Sequence, residues 1–202
     1  MAALTRVAFV ASSLLFACGS GTVAHTPLAV FPTTVYTGVE DTGAKDSVPV
    51  SMDGGTRIFW TASSPAIATV IGGDTSAVIF GVAPGTATVT ATAGDKTAAV
   101  SVVVTSYLAS DRMAGLNFYG EHACAGCHQP SGTPDITPSG IGKHSDSQIQ
   151  AAVAQGQNPE GGEISIGAAA HTFPLTHGTP AYNGLVAYLR SLPPTQAPHS
   201  DK

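Results

Sequence analysis

The pattern of apolar and polar positions changes character near Ser106. Before it, apolar residues alternate with polar ones; after it, they recur at the spacing of a helix. The strictest alternation covers residues 86–93, with threonines on one face and alanine or valine on the other, and Val100, Val102 and Val104 repeat it after a Gly-Asp-Lys turn. A period of two is typical of half-buried strands. The first half of the chain is therefore predicted to be all-β.

Three helices are predicted in the second half. The first covers residues 112–122. The second begins after Ser145, because the sequence Ser-Asp-Ser-Gln has the form of a capping box. The third opens with Thr179 and Pro180, a cap followed by a first-turn proline, and its apolar residues fall on one face. These patterns predict an all-α second half.

Residues 124–128 read Cys-Ala-Gly-Cys-His. This is the attachment signature of a c-type haem, in which both thiols form thioethers to the porphyrin and the histidine binds iron. A zinc site would need two further ligands and usually a second cysteine pair. A thioredoxin-like motif would need a βαβ setting, and a structural disulfide leaves His128 unexplained. The motif predicts one haem c held by Cys124 and Cys127, with His128 as the proximal iron ligand.

The third cysteine, Cys18, follows a positively charged start and an apolar run over residues 7–16. This pattern is typical of an export signal. The residues Leu-Phe-Ala-Cys at 15–18 resemble a bacterial lipobox, which implies that Cys18 becomes the lipidated first mature residue. Gly19 then favours the outer membrane. The prediction is an outer-membrane lipoprotein of the cell envelope, facing the periplasm or the cell surface; a plain secreted protein that discards Cys18 is the alternative.

Charge excludes some partners. Charged residues make up only 10% of the chain, the formal net charge is −5, and there is no basic run. This argues against nucleic acid and against a polybasic membrane-surface site. The expected partners are a redox protein and, through the N-terminal lipid, the membrane.

Two stretches of the first half resemble the bacterial Ig-like domain of group 2. They are FWTASSPAIATV at residues 59–70 and GVAPGTATVTA at residues 81–91. The resemblance covers about residues 26–105 and implies a β-sandwich that spaces or displays other domains. A rigid spacer is the favoured interpretation, and an adhesive module is the alternative.

A second resemblance covers about residues 114–194. Residues 135–142, DITPSGIG, are similar to the segment NITPD…TGIG of cytochrome c subunits that serve periplasmic dehydrogenases, and residues 145–156 and 186–194 continue in the same register. The resemblance implies an all-α class I cytochrome c fold. Pro138 then becomes a candidate to accept a hydrogen bond from the imidazole of His128.

The cytochrome family supplies a methionine as the sixth iron ligand, but this chain has none after His128. A His-Thr-Phe-Pro sequence at 171–174 stands at the matching place. The hypothesis is that His171 is the distal iron ligand, with His177 as runner-up and five-coordinate iron as the remaining possibility. His122 is expected to be solvated or at the haem edge.

Together these observations predict an all-β Ig-like sandwich followed by an all-α cytochrome c fold. The expected function is electron transfer rather than catalysis. The alternatives are a haem enzyme or gas-binding protein with an open iron position, and a surface-binding module with a redox accessory. The predicted divisions are a signal peptide (1–18), a linker (19–25), the Ig-like domain (26–105), a linker with the helix start (106–113), the cytochrome c domain (114–194) and a flexible tail (195–202).

Overall fold

The computed structural model describes residues 27–54, 57–128, 134–162, 164, 173 and 175–195. Within them, two four-stranded sheets are followed by four α-helices. The strands are β1 (Ala29–Phe31), β2 (Thr34–Glu40), β3 (Ser47–Asp53), β4 (Phe59–Ala62), β5 (Ala68–Gly72), β6 (Ser76–Gly81), β7 (Gly85–Ala93) and β8 (Lys96–Tyr107). The helices are α1 (Ala109–Glu121), α2 (Pro138–Ile141), α3 (Asp146–Gln155) and α4 (Pro180–Arg190), and a short 3₁₀ turn covers Cys124–Gly126.

The two sheets form a sandwich. One has the strand order β1-β3-β6-β5 and the other β2-β8-β7-β4. All pairings are antiparallel except that of β2 with β8. The alternation at residues 86–93 lies in β7, whose Val89 pairs with Val100 of β8, and both side chains are fully buried. The inward face of this hairpin therefore supplies much of the core between the sheets.

Helices α3 and α4 begin where the sequence places their caps, whereas α1 begins at Ala109, three residues before its predicted start, and α2 was not predicted. The Ser145 hydroxyl accepts the Gln148 N–H, and the Gln148 side chain accepts the Ser145 N–H, which completes the predicted capping box. The Thr179 hydroxyl accepts the Tyr182 N–H at 3.3 Å, with Pro180 in the first turn. None of the helices in the described residues is long and apolar enough to cross a membrane.

Helices α1 and α4 cross with their backbones in contact. A Cβ on Gly115 would overlap the carbonyl of Gly184, and a Cβ on Gly184 would overlap the carbonyl of Asp111. Glycine is therefore required at both positions, since any side chain would force the helices apart. Phe118 of α1 is buried in the same cluster as Leu185 and Leu189 of α4.

The helical segment is attached to the sandwich. The N–H of Tyr36 in β2 donates to the carbonyl of Gly142 after α2 at 2.7 Å. The guanidinium of Arg190 in α4 donates to the Tyr36 carbonyl at 2.8 Å. Tyr107, the last residue of β8, belongs to the same buried cluster as the helices.

The predicted all-α cytochrome c fold is wrong for the described residues. They form mainly a β-sandwich with four short helices of 13, 4, 10 and 11 residues, and the sandwich contributes to the helices' hydrogen bonds and core. A helical period shows that a segment has an apolar face but not which element covers that face. Here Tyr107 of β8 shares that role with the other helices, and β2 adds hydrogen bonds to the helical segment. The β-sandwich predicted for residues 26–105 is present in the two sheets.

We expect Gly184→Ala to lower the free energy of unfolding by about 3 kcal/mol, because the added methyl overlaps the α1 backbone. Gly120→Ala is the matched control, since Gly120 is an exposed residue of α1 and an added Cβ there meets no atom within 4 Å. That change should leave stability unchanged or raise it by about 0.5–1 kcal/mol. Urea denaturation followed by circular dichroism measures both. Equal stability of the two variants would contradict the close crossing.

Candidate functional site

An open groove lies between α1, α3, α4 and the 3₁₀ turn. It encloses about 180 Å³, and its walls are mainly apolar. The lining residues are Tyr119, His122, Ala123, Cys124, Cys127, His128, Ile136, Val153, Phe173, Leu185 and Leu189. The groove brings together all three residues of the cysteine–histidine motif that the sequence singles out.

The motif is held on one tight turn. Helix α1 ends at Glu121, and Ala123 then adopts a left-handed conformation with φ of 51°, which turns the chain out of the helix. The carbonyl of Cys124 accepts the N–H of Cys127 at 3.2 Å and that of His128 at 3.0 Å. The backbone therefore fixes the spacing of two thiols and one imidazole.

His128 is held at both its side chain and its backbone. Its Nδ1 lies 3.3 Å from the carbonyl oxygen of Pro134, and the backbone carbonyl of His128 accepts the hydroxyl of Tyr119 at 3.3 Å. When Nδ1 carries the proton and donates it to the Pro134 carbonyl, Nε2 is unprotonated and is the atom that can bind a metal. The contact that the structure shows is thus with Pro134 and not with Pro138, the predicted partner, whose carbonyl accepts the N–H of Gly142 after α2.

Both cysteines of the motif are free thiols in different surroundings. Cys124 is half-buried and Cys127 is exposed. Burial raises the pKa of the Cys124 thiol, and the neighbouring Cys127 raises it further. Cys124 therefore holds its proton more tightly than an ordinary cysteine does.

Aromatic rings line the groove next to the motif. The rings of His122, Phe118 and Phe173 pack against one another, and the His122 centroid lies 4.2 Å from that of Phe118 and 4.8 Å from that of Phe173. The ring of Tyr119 packs on that of Tyr188 at 5.1 Å. Sequence reasoning did not assign Tyr119 or Phe173 to the site. Tyr119 lies five residues before Cys124 on the helix that leads into the motif, and that position is the signal that could have found it.

The structure describes only one of the remaining predicted site residues. Cys18, the expected lipid attachment point, and His171, the expected distal ligand, lie outside the described residues. His177 is exposed, its ring packs on that of Tyr182 at 5.1 Å, and it is not among the residues that line the groove.

No group of three or more His, Cys, Asp or Glu side chains is placed to hold a metal ion within the part of the chain that the structure describes. The expectation that the chain carries an iron-binding site is therefore not supported by the described residues. Cys124, Cys127 and His128 share one turn, but they do not form a set of ligands around one point.

No protein-family model matches the chain, and no curated protein matches it. One similar solved structure is the crystal structure of the surface-layer protein SbsC, with 25% identity over 40% of this chain and a TM-score of 0.32. Domains 5 and 6 of SbsC show 27% identity over 40% of this chain and a TM-score of 0.32. The chain spans 13% and 43% of the lengths of these two structures.

A tandem pair of titin Ig domains is 12% identical over 42% of this chain and 51% of its own length, with a TM-score of 0.31. At these TM-scores the similarities carry no argument about the chain.

We expect Cys127 to be alkylated faster than Cys124 in the cofactor-free chain. The thiolate is the reactive form, and Cys124 is both less exposed and more firmly protonated than an ordinary cysteine. Limited treatment with iodoacetamide at pH 8, followed by peptide mass spectrometry, measures the two rates and separates both from Cys18. A faster reaction at Cys124 would contradict the described burial.

Proposed function

We propose that the chain is an electron-transfer protein with one haem attached through Cys124 and Cys127, and with His128 as an iron ligand. The observation that carries the proposal is the placement of two free thiols and an imidazole on one turn at an apolar groove. The resemblance of residues 124–128 to a haem attachment motif supplies the chemistry.

The residues present fit such a group. Thioether formation needs two free thiols, and both are present. A flat apolar ring needs apolar walls, which Ile136, Leu185 and Leu189 provide. A porphyrin brings four nitrogen ligands of its own, so the protein needs to add only one or two ligands rather than a group of three.

When bound, haem supplies one-electron exchange between ferric and ferrous iron. The chain's own residues set the conditions for that exchange. The Pro134 carbonyl orients the His128 imidazole and makes it a stronger electron donor. Leu185 and Leu189 exclude water, and the fixed crossing of α1 and α4 keeps the walls in place. No nucleophile or general base is required, which favours an electron carrier over an enzyme.

The proposal extends to the protein's location. We infer that Cys18 is lipidated, that the chain is an outer-membrane lipoprotein of the cell envelope, and that the sandwich lifts the groove towards a redox partner protein. The lipobox-like residues 15–18 support the anchor.

We expect the full chain, matured in a host with haem-attachment machinery, to carry one covalent haem. Replacing Cys124 and Cys127 together by alanine should abolish haem staining after denaturing electrophoresis, because no thioether can form. His177→Ala is the control and should keep the stain, since His177 is exposed and outside the groove. Pyridine haemochrome spectra measure attachment. An unstained wild-type chain would overturn the proposal.

We further propose His171 as the sixth ligand, which gives a bis-histidine haem with a lower potential than histidine–methionine ligation. His171→Ala should then convert a low-spin ferric EPR signal to high spin and allow carbon monoxide to bind, whereas His177→Ala should change neither. An unchanged low-spin spectrum in His171→Ala would refute this assignment. A high-spin wild-type spectrum would also refute it, and would favour a gas-binding or catalytic haem.

A further inference from the structure

Six ionisable side chains meet where the helices contact the sandwich. They come from β2, the segment before β3, the end of β8, and helices α1, α3 and α4. This junction cluster consists of Glu40, Asp46, Tyr107, Arg112, Asp146 and Arg190. It contains three carboxyl groups and two guanidinium groups, so it holds one more acid than base.

Arg190 occupies the centre of the junction cluster and is 2% exposed. Its guanidinium donates to Asp146 Oδ1 at 2.7 and 3.0 Å and to the hydroxyl of Tyr107 at 3.1 Å. It also donates to the carbonyls of Tyr36 and His144, both at 2.8 Å. One buried cation thus links both β-strands at the interface to α3 and α4.

A second ion pair lies at the edge of the cluster. The guanidinium of Arg112 in α1 pairs with the carboxylate of Glu40 in β2, which also accepts the hydroxyl of Thr42 at 3.1 Å. Glu40 is 6% exposed. Arg112 and Arg190 are therefore both engaged by acids other than Asp46.

Asp46 is the remaining acid, and it is 5% exposed. Its backbone is fixed, because its N–H donates to the Gly38 carbonyl at 3.0 Å and its carbonyl accepts the Thr37 hydroxyl at 3.1 Å. Its Oδ2 has no hydrogen-bond partner among the described residues. A Cβ on Gly38 would overlap both this oxygen and the ring of Tyr107, so the carboxyl group is confined between β2 and β8.

In this position the ionised form of Asp46 has a much higher free energy of burial than the protonated form. Burial and the charge of Glu40 raise the pKa of Asp46 from 3.8 to about 7, while Arg190 and Arg112 oppose the rise. Asp146 adds to it. Protonation removes a buried charge that lacks a partner at Oδ2.

We propose that the junction cluster is a proton-sensitive contact between the helices and the sandwich, tight while Asp46 is protonated and looser once Asp46 ionises. The proposal does not depend on a bound haem, because every residue in the cluster is outside the groove. It concerns how firmly the walls of the groove are held against the sandwich.

The sign of the pH dependence follows from linkage. The folded chain binds the Asp46 proton more tightly than the unfolded chain does, so this contribution to stability is complete below the unfolded pKa of 3.8. It is lost as pH rises through the folded pKa of about 7. Between pH 5 and 7 the unfolding constant of the wild type should rise roughly 50-fold relative to a variant without this ionisation.

We would measure this with the full chain and Asp46→Asn by urea denaturation from pH 5 to 8. The wild type should lose stability relative to Asp46→Asn across this range, and the Tyr36 amide, which is hydrogen-bonded to Gly142, should lose hydrogen-exchange protection in parallel. Asp95→Asn is the control, because Asp95 is exposed in the turn between β7 and β8. Its difference from wild type should not vary with pH.

A constant difference between wild type and Asp46→Asn across pH 5–8 would overturn the proposal. If Asp46→Asn does not fold, the carbon-13 shift of the Asp46 carboxyl in the wild type decides instead. A midpoint near neutral pH supports the proposal, and a midpoint near the unfolded value of 3.8 refutes it.

Discussion

The buried guanidinium of Arg190 is the contact on which the arrangement of groove and sandwich depends. It lies at the end of α4, and it hydrogen-bonds to β2, β8 and the start of α3 at once. Leu189, the residue before it, lines the groove. Removal of one partner of a buried ion pair leaves an uncompensated charge and costs about 3–5 kcal/mol. The position of a groove wall is therefore fixed by charges that lie outside the groove.

The crossing of α1 and α4 supplies the second constraint. Gly115 and Gly184 let the two backbones touch, and the turn that carries Cys124 follows directly from the end of α1. Any separation of the helices would shift the thiols relative to Leu185 and Leu189. The contacts of Arg190 fix α4 to the sandwich, and the close approach at Gly115 and Gly184 fixes the cysteine turn to α4. The position of the thiols relative to the sandwich therefore depends on both contacts.

Features that depend on neighbouring residues in sequence could be predicted. The alternation at 86–93 lies within the strand β7, and the caps at Ser145 and Thr179 begin α3 and α4. A helix cap or the buried face of a strand depends on residues only a few positions apart, so it can be predicted from a short stretch of sequence. The placement of Cys124, Cys127 and His128 on one turn follows for the same reason.

Features that depend on distant residues could not be predicted in this way. Tyr36 and Arg190 are 154 positions apart, and the residues that flank each of them give no indication of their hydrogen bond. The all-α second domain was wrong because Tyr107 and β2 share the helices' packing and hydrogen bonds. Pro134 and Pro138 both follow His128 within a short stretch, and nothing in the sequence decides which carbonyl the imidazole reaches.

These long-range contacts bear on whether the sandwich is a separate spacer domain. A spacer domain is joined to its neighbouring domain only through a linker, so the neighbouring domain keeps its structure when the spacer is removed. Here β2 and β8 donate and accept hydrogen bonds within the helical segment, and Tyr107 is part of its core. Loss of the sandwich would expose Arg190 and open one side of that core. The sandwich is therefore a structural part of the groove, and a group bound there would keep a fixed orientation relative to the sheets.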